Sequence, residues 1–385
     1  MNRQRFEQHL EEILRFWQRA RDTESGGFHS FIDSSGRVHE TSQKLLLIQG
    51  RLLYSYAEGM LRGWEFCASE ASCLHEFIRD SLRTPEGWYA SIRRGSFWPR
   101  GTLDTYTNLF AVIGLAKYAQ ATRRAEVLEQ AWSLLRLIED KTIDGDLAQS
   151  GLVGGWRDET VDDGHRRSRR KTHSGNVNLH YLEALGCLRD AGISEDLLPR
   201  VGKVREFFGR FILDRQRWIT FDSFYGGYDK PFVDPGAHAS MAHALEWVWF
   251  FRRFDGMALD EDVERGLLDA ATERCLRDDG LFEDAYYLAE QRTAGGAVFW
   301  PQVEAAATLN VAAAVYGAPY DEALRRVVDY YFRKFVDSDG GVFSEIDRNG
   351  VVTDRLKGGF WKCDYHSVRM CVEILQRADG VLPKT

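Results

Sequence analysis

The 385-residue chain repeats itself. SGGFHSFIDSSG at 25–36 and DGGVFSEIDRNG at 339–350 share a Gly pair, an Ile-Asp pair five residues on and a closing Gly. That is the pattern of two short strands and a turn, with Gly where the backbone needs positive φ. A long helical pattern follows each. Four further units of the same kind lie between them: EGWYASIRRG before LDTYTNLFAVIGLAKYAQA, GGWRDETVDDG before SGNVNLHYLEALGCLRDA, YGGYDKPFVDPG before ASMAHALEWVWFFRRF, and DGLFEDAYY before VFWPQVEAAATLNVAAAVY. The units recur at roughly 60–70 residues, a period that signals a repeat architecture. Helices of a second kind separate them, as in RQRFEQHLEEILRFWQRA, RRAEVLEQAWSLLRLIED, EDLLPRVGKVREFFGRFI, DEDVERGLLDAATERCLRD and DEALRRVVDYYFRKFV. These carry charge on one face and apolar residues on the other, the signature of a surface helix. The hairpin-led helices have almost no polar face and should be buried all round. Repeats that cannot bury their faces alone must stack, and a closed stack has one solution here. The predicted fold is all-α, an (α/α)6 barrel of six inner and six outer helices with short β-hairpins on one rim. Because no Pro/Gly/Ser-rich linker interrupts the series, residues 1–385 are expected to form a single domain.

Composition removes several classes of function. A formal charge of −8 gives no electrostatic reason for a nucleic-acid partner, and the one basic run, RRSRRK at 166–171, reads as a solvated loop. No apolar stretch approaches the length of a bilayer span. The first twenty residues form an amphipathic pattern, with Phe6, Leu10, Ile13, Leu14 and Trp17 on one face, and lack a signal-peptide core. Six cysteines stand scattered at 67, 73, 187, 275, 363 and 371, with no CxxC pair, as befits reduced thiols. A cytoplasmic protein without membrane or nucleic-acid partners is expected, and a homodimer is compatible with this. No Gly-rich phosphate loop follows a strand, so no nucleotide cofactor is expected.

Polar residues recur at one depth on the buried helices, near the hairpin rim. They are Gln49 and Arg51 on the first, Tyr106 and Asn108 on the second, and Asn178, His180 and Glu183 on the third. The fourth offers His243 and Glu246, the fifth Trp300, Gln302 and Glu304, and the sixth Trp361, Tyr365, His366 and Arg369. Buried polar groups need partners or a purpose. His180 with Glu183, and His243 with Glu246, are spaced i, i+3 on one helix face, where a carboxylate can fix an imidazole's tautomer and raise its basicity. A single such histidine is more often a core residue; three at one level of a ring point to a site. Three imidazoles could also bind zinc, but no HExxH occurs and none is expected. Glu183, Glu246 and Glu304 facing one cavity keep carboxylate-driven glycoside hydrolysis open.

NVNLHYLEAL (176–185), HALEWVWFF (243–251) and FWKCDYHSVRMCVEIL (360–375) resemble the N-acylglucosamine 2-epimerase superfamily, which includes cellobiose 2-epimerases and mannose isomerases. GRLLYSYA (50–57) and FWPQVEA (299–305) fit it too, so the resemblance runs the full length. It implies the same barrel and a metal-free reaction, without cofactor, at the reducing end of a sugar. It implies His243 and His366 as the acid/base pair, His180 as a third active-site histidine, Arg51 as the group binding the enediolate oxygens, and Glu246 as the partner of His243. Trp300 and Trp361 fall at sugar-stacking positions, and Tyr106, Asn108, Asn178 and Glu304 are expected to contact substrate. Departures are Asn178, where cellobiose 2-epimerases carry a further histidine, and DPGAHASMAHALEW, where His238 competes with His243. The chemistry agrees independently. Removing a proton α to an aldehyde needs a base near neutral pH and a charge where the oxyanion forms. Returning the proton to the opposite face of C2 epimerises the sugar; returning it to C1 makes a ketose.

Overall fold

The computed structural model describes residues 2–380 except 42, 94, 99–102, 154–170, 195–196 and 294. The stretch 154–164 that opens the third unit and the arginine run at 166–170 lie outside them. Six outer helices are α1 (Arg3–Gln18), α3 (Phe66–Ser81), α5 (Ala125–Thr142), α8 (Leu197–Phe207), α10 (Glu261–Cys275) and α12 (Tyr320–Lys334). Six inner helices alternate with them: α2 (Leu46–Leu61), α4 (Thr105–Thr122), α7 (Gly175–Asp190), α9 (Met241–Arg252), α11 (Phe299–Tyr316) and α13 (Tyr365–Ala378). A one-turn α6 (Leu147–Ser150) and a π-turn (Phe208–Ile212) complete the set. The inner helices pack in chain order, and α13 returns to α2, so the ring closes as an (α/α)6 barrel. FCASEASCLHEFIRDS supplies the outer helix between the first two inner ones.

Periodicity explains which helix goes where. In α12 the buried residues Ala323, Leu324, Val327, Val328 and Tyr331 form one stripe, while Asp321, Glu322, Arg325 and Arg333 face out or flank it. In α4 and α11 burial is continuous from Thr107 to Ala119 and from Pro301 to Ala313. Ala and Gly let these helices approach closely. A Cβ on Gly114 would stand 2.4 Å from the carbonyl oxygen of Gly50, so α2 and α4 touch backbone to backbone just where Arg51 leaves α2.

The rim differs from six independent hairpins. Residues 31–32 with 38–39, 91–93 with 96–98, 285–287 with 292–293 and 345–346 with 352–354 do pair within a unit. Elsewhere the strand leading an inner helix pairs with the following unit: 171–174 with 223–225, 238–240 with 285–287, and 297–298 with 345–346. Two-stranded ribbons this short are marginal alone, and lateral pairing also covers their edges. The Gly doublets form a separate tight turn before the strands, with Gly26, Gly27, Gly340 and Gly341 all at positive φ.

An amide from four inner helices holds this rim in place. Gln49 accepts from the backbone N–H of Phe28 and donates to its carbonyl, both at 2.9 Å. Asn108 does the same with Tyr89, at 2.9 Å each way, and Gln302 binds Phe282 N and Gly280 O. Asn178 accepts from Leu152 N at 2.8 Å and donates to Tyr228 Oη at 2.7 Å. The substrate-contact roles expected of Asn108 and Asn178 are therefore corrected. Both side chains are fully buried and bonded to rim backbone, which needs those partners.

Candidate active site

From α7, α9 and α13, His180, His243 and His366 come near enough for both of the others to act on His366. His243 and His366 flank the same indole, with ring centroids 5.0 and 5.8 Å from Trp300. His180 lies deeper, 5.3 Å from the ring of Tyr106 and 4.7 Å from that of Phe110. His238 stands exposed in a rim strand instead, beside Tyr287. Each of the three central imidazoles has Nδ1 on a carboxylate: His180 on Glu183 at 2.8 Å, His243 on Asp222 at 2.8 Å, and His366 on Glu304 at 2.6 Å. Nε2 is the remaining nitrogen in each case.

The pairing of His243 with Glu246 expected from spacing is thus corrected. His243 sits three residues past Ser240, whose hydroxyl caps α9 by accepting the His243 N–H at 3.2 Å. From that first turn its ring meets Asp222, delivered by the loop before the 223–225 strand. Glu246 turns instead to Arg369, which also holds Glu183 and Glu304, the latter two at 2.5 Å. Arg369, Glu183, Glu246 and Glu304 are all fully buried. Glu304 accordingly supports His366.

Above this layer Arg51 donates to the carbonyl of Trp361 at 2.8 Å and to Tyr106 Oη at 3.2 Å, with its guanidinium 4.2 Å from the centroid of Phe110. Its Nε has no hydrogen-bond partner among the described residues. Trp361 is 43% exposed at the mouth and Trp300 half-buried, so aromatic surface runs from rim to floor. A separate groove of about 600 Å³, lined by His75, Arg83 and Arg124, lies between outer helices α3 and α5 and touches none of these groups.

Environment separates the three imidazoles electrically. Burial works against charge on His243, but Asp222, reinforced by Glu246 and Asp284, raises it to about 9. His366 is lowered well below the usual range, first by burial and then by Arg51, Arg369 and the other two imidazoles. His180 is also lowered by burial, against the pull of Glu183. Burial lifts the Glu304 carboxyl, as do Glu246 and Glu183, while Arg369 opposes the rise. Glu246, Glu304 and His366 bring one donor atom each within 4.8 Å of one another, a set that a cation could use. Arg369 already supplies positive charge to both carboxylates.

Asp222 escapes a reading of the sequence, and so do the partners of Arg369. Asp222 is 21 residues from His243 and belongs to no helix, so no spacing rule points to it. Arg369 is visible at i+3 from His366, but its three carboxylate partners come from three other helices.

Residues 26–370 match the sequence model of the N-acylglucosamine 2-epimerase (GlcNAc 2-epimerase) family. A cellobiose 2-epimerase of Ruminococcus albus is 25% identical over 390 residues, covering 95% of this chain and 96% of the relative. Among solved structures, the cellobiose 2-epimerase of Bacillus thermoamylovorans superposes with a TM-score of 0.85 at 22% identity, covering 97% of this chain and 99% of that one. A D-mannose isomerase superposes at 0.83 with 17% identity, covering 98% of each chain. The chain belongs to the N-acylglucosamine 2-epimerase family of carbohydrate isomerases.

Proposed function

We propose that the protein is a sugar 2-epimerase acting on a reducing-end aldose, with His366 and His243 as bases on opposite faces of C2. The carrying observation is that both imidazoles lie against one indole while their surroundings push their proton affinities apart, His366 down and His243 up. In this reading Nε2 of His366 takes the C2 proton, the C–H electron pair forms the C1–C2 double bond, and negative charge moves to O1. Arg51 faces that oxyanion and His180 assists ring opening, where a fixed cation and a donor stabilise charge as it develops. Nε2–H of His243 then returns a proton to the other face of C2, and the opposite epimer runs the sequence backwards. Trp300 and Trp361 offer flat apolar surface to the sugar ring. Family membership and the similarity to cellobiose 2-epimerases support the reaction class. The unpaired cysteines suit a reducing compartment, in line with the cytoplasmic location expected.

The test is incubation with glucose, mannose, N-acetylglucosamine and cellobiose in heavy water, following C1 and C2 by NMR. Deuterium at C2 of the epimer is expected for at least one sugar, with His366→Asn and His243→Asn abolishing it. A ketose labelled at C1 would turn the reading into aldose–ketose isomerisation at the same site. No exchange with any sugar would overturn both.

A further inference from the structure

We propose that Arg369 is a positioning residue that couples His366 to His180 through a shared carboxylate bridge, while His243 takes its carboxylate from outside that bridge. The geometry forms one unbroken chain across the barrel. His180 Nδ1 meets Glu183 Oε2 at 2.8 Å, and Glu183 Oε1 meets Arg369 Nη1 at 2.5 Å. Arg369 Nη2 meets Glu304 Oε2 at 2.5 Å, and Glu304 Oε1 meets His366 Nδ1 at 2.6 Å. Each bridging glutamate turns one oxygen to an imidazole and the other to the guanidinium, Glu183 by a hydrogen bond and Glu304 by an ion pair. Glu246 takes a further contact from Nη2. Only a planar fork can serve three carboxylates from three helices at once; an ammonium is a point charge on a flexible stem.

His243 stands outside this chain because its carboxylate, Asp222, comes from the rim. Other titratable groups facing the chain are Arg51 and Tyr54 from α2, Tyr106 from α4, Cys187 from α7, His243 from α9, and, from α13, Glu373 and Tyr365, whose hydroxyl donates to Glu183. On the opposite face of α13, Tyr331 of α12 donates to Ser367 and meets His9 of α1. The charge of Arg369 lowers the proton affinity of both His180 and His366, whereas the largest influence raising His243 is Asp222. Removing the Arg369 charge should move the first two together and the third by less.

The catalytic consequence rests on the epimerase reading; the coupling itself does not, so the test begins without substrate. In full-length protein carrying 15N-histidine, with signals assigned from single-histidine variants, His180, His243 and His366 are titrated by NMR. Arg369→Met is expected to raise the midpoints of His180 and His366 by at least one pH unit each, moving His243 by clearly less. Arg369→Lys, which keeps a charge and guards against a Met variant that fails to fold, should change both signals in the same sense by less. With substrate, Arg369→Met should lower kcat about 100-fold, the order of a lost acid–base contribution, with KM nearly unchanged. Movement of His366 without His180, equal movement of all three, or no movement in folded Arg369→Lys would overturn the coupling. Absence of C2 exchange in the unaltered protein would instead remove the epimerase reading.

Discussion

Asp222→Asn isolates the electrostatics of His243. The substitution preserves shape and an acceptor oxygen while deleting the charge 2.8 Å from Nδ1. Asp222 is the largest influence lifting His243 from 6.5 to about 9 against burial. That rise corresponds to about 3 kcal/mol, at 1.36 kcal/mol per pH unit. His243 is raised on folding, so its stabilisation is fully present below pH 6.5 and disappears as pH climbs through about 9. The variant should therefore lose at least about 3 kcal/mol in denaturant unfolding between pH 5 and 6.5, and the difference should vanish above pH 9. Because burial remains, its His243 should titrate below 6.5 by NMR. The alkaline limb of kcat/KM, where the proton-donating imidazole loses its charge, should follow. If folded Asp222→Asn keeps His243 near 9, Glu246 and Asp284 suffice and the reasoning fails.

Two further substitutions test the scaffold. Asn178→Ala strands the buried N–H of Leu152 and should cost about 2–3 kcal/mol of stability while leaving KM of the folded protein unchanged. A raised KM without loss of stability would return Asn178 to the sugar site. Gly114→Ala forces backbone apart at Gly50 and should cost about 1–3 kcal/mol, with lowered kcat because Arg51 follows Gly50 along α2. Unchanged thermal unfolding and activity would show that the two helices have room to yield.

The barrel was legible because its causes are local and repeated. Six alternations of an all-apolar helix with a two-faced one dictate burial without knowledge of neighbours, and the Gly doublets mark turns by their backbone alone. The same periodicity brought His180 and Glu183 together correctly, since an i, i+3 pair is settled within one helix. It misassigned His243 and Glu246 at identical spacing. In the first turn of α9 the imidazole meets the rim loop, and Glu246, one turn deeper, meets the guanidinium at the barrel centre. The amides of Asn108 and Asn178 looked like substrate contacts because sequence shows a polar group on a buried helix but not the backbone it satisfies. Helix identity, inner or outer placement and the level of the histidines were thus written in the chain itself. Which carboxylate holds which imidazole, and therefore which histidine is charged, was decided only when separate helices and a rim loop closed around a common centre, since electrostatic partners are chosen by distance in space.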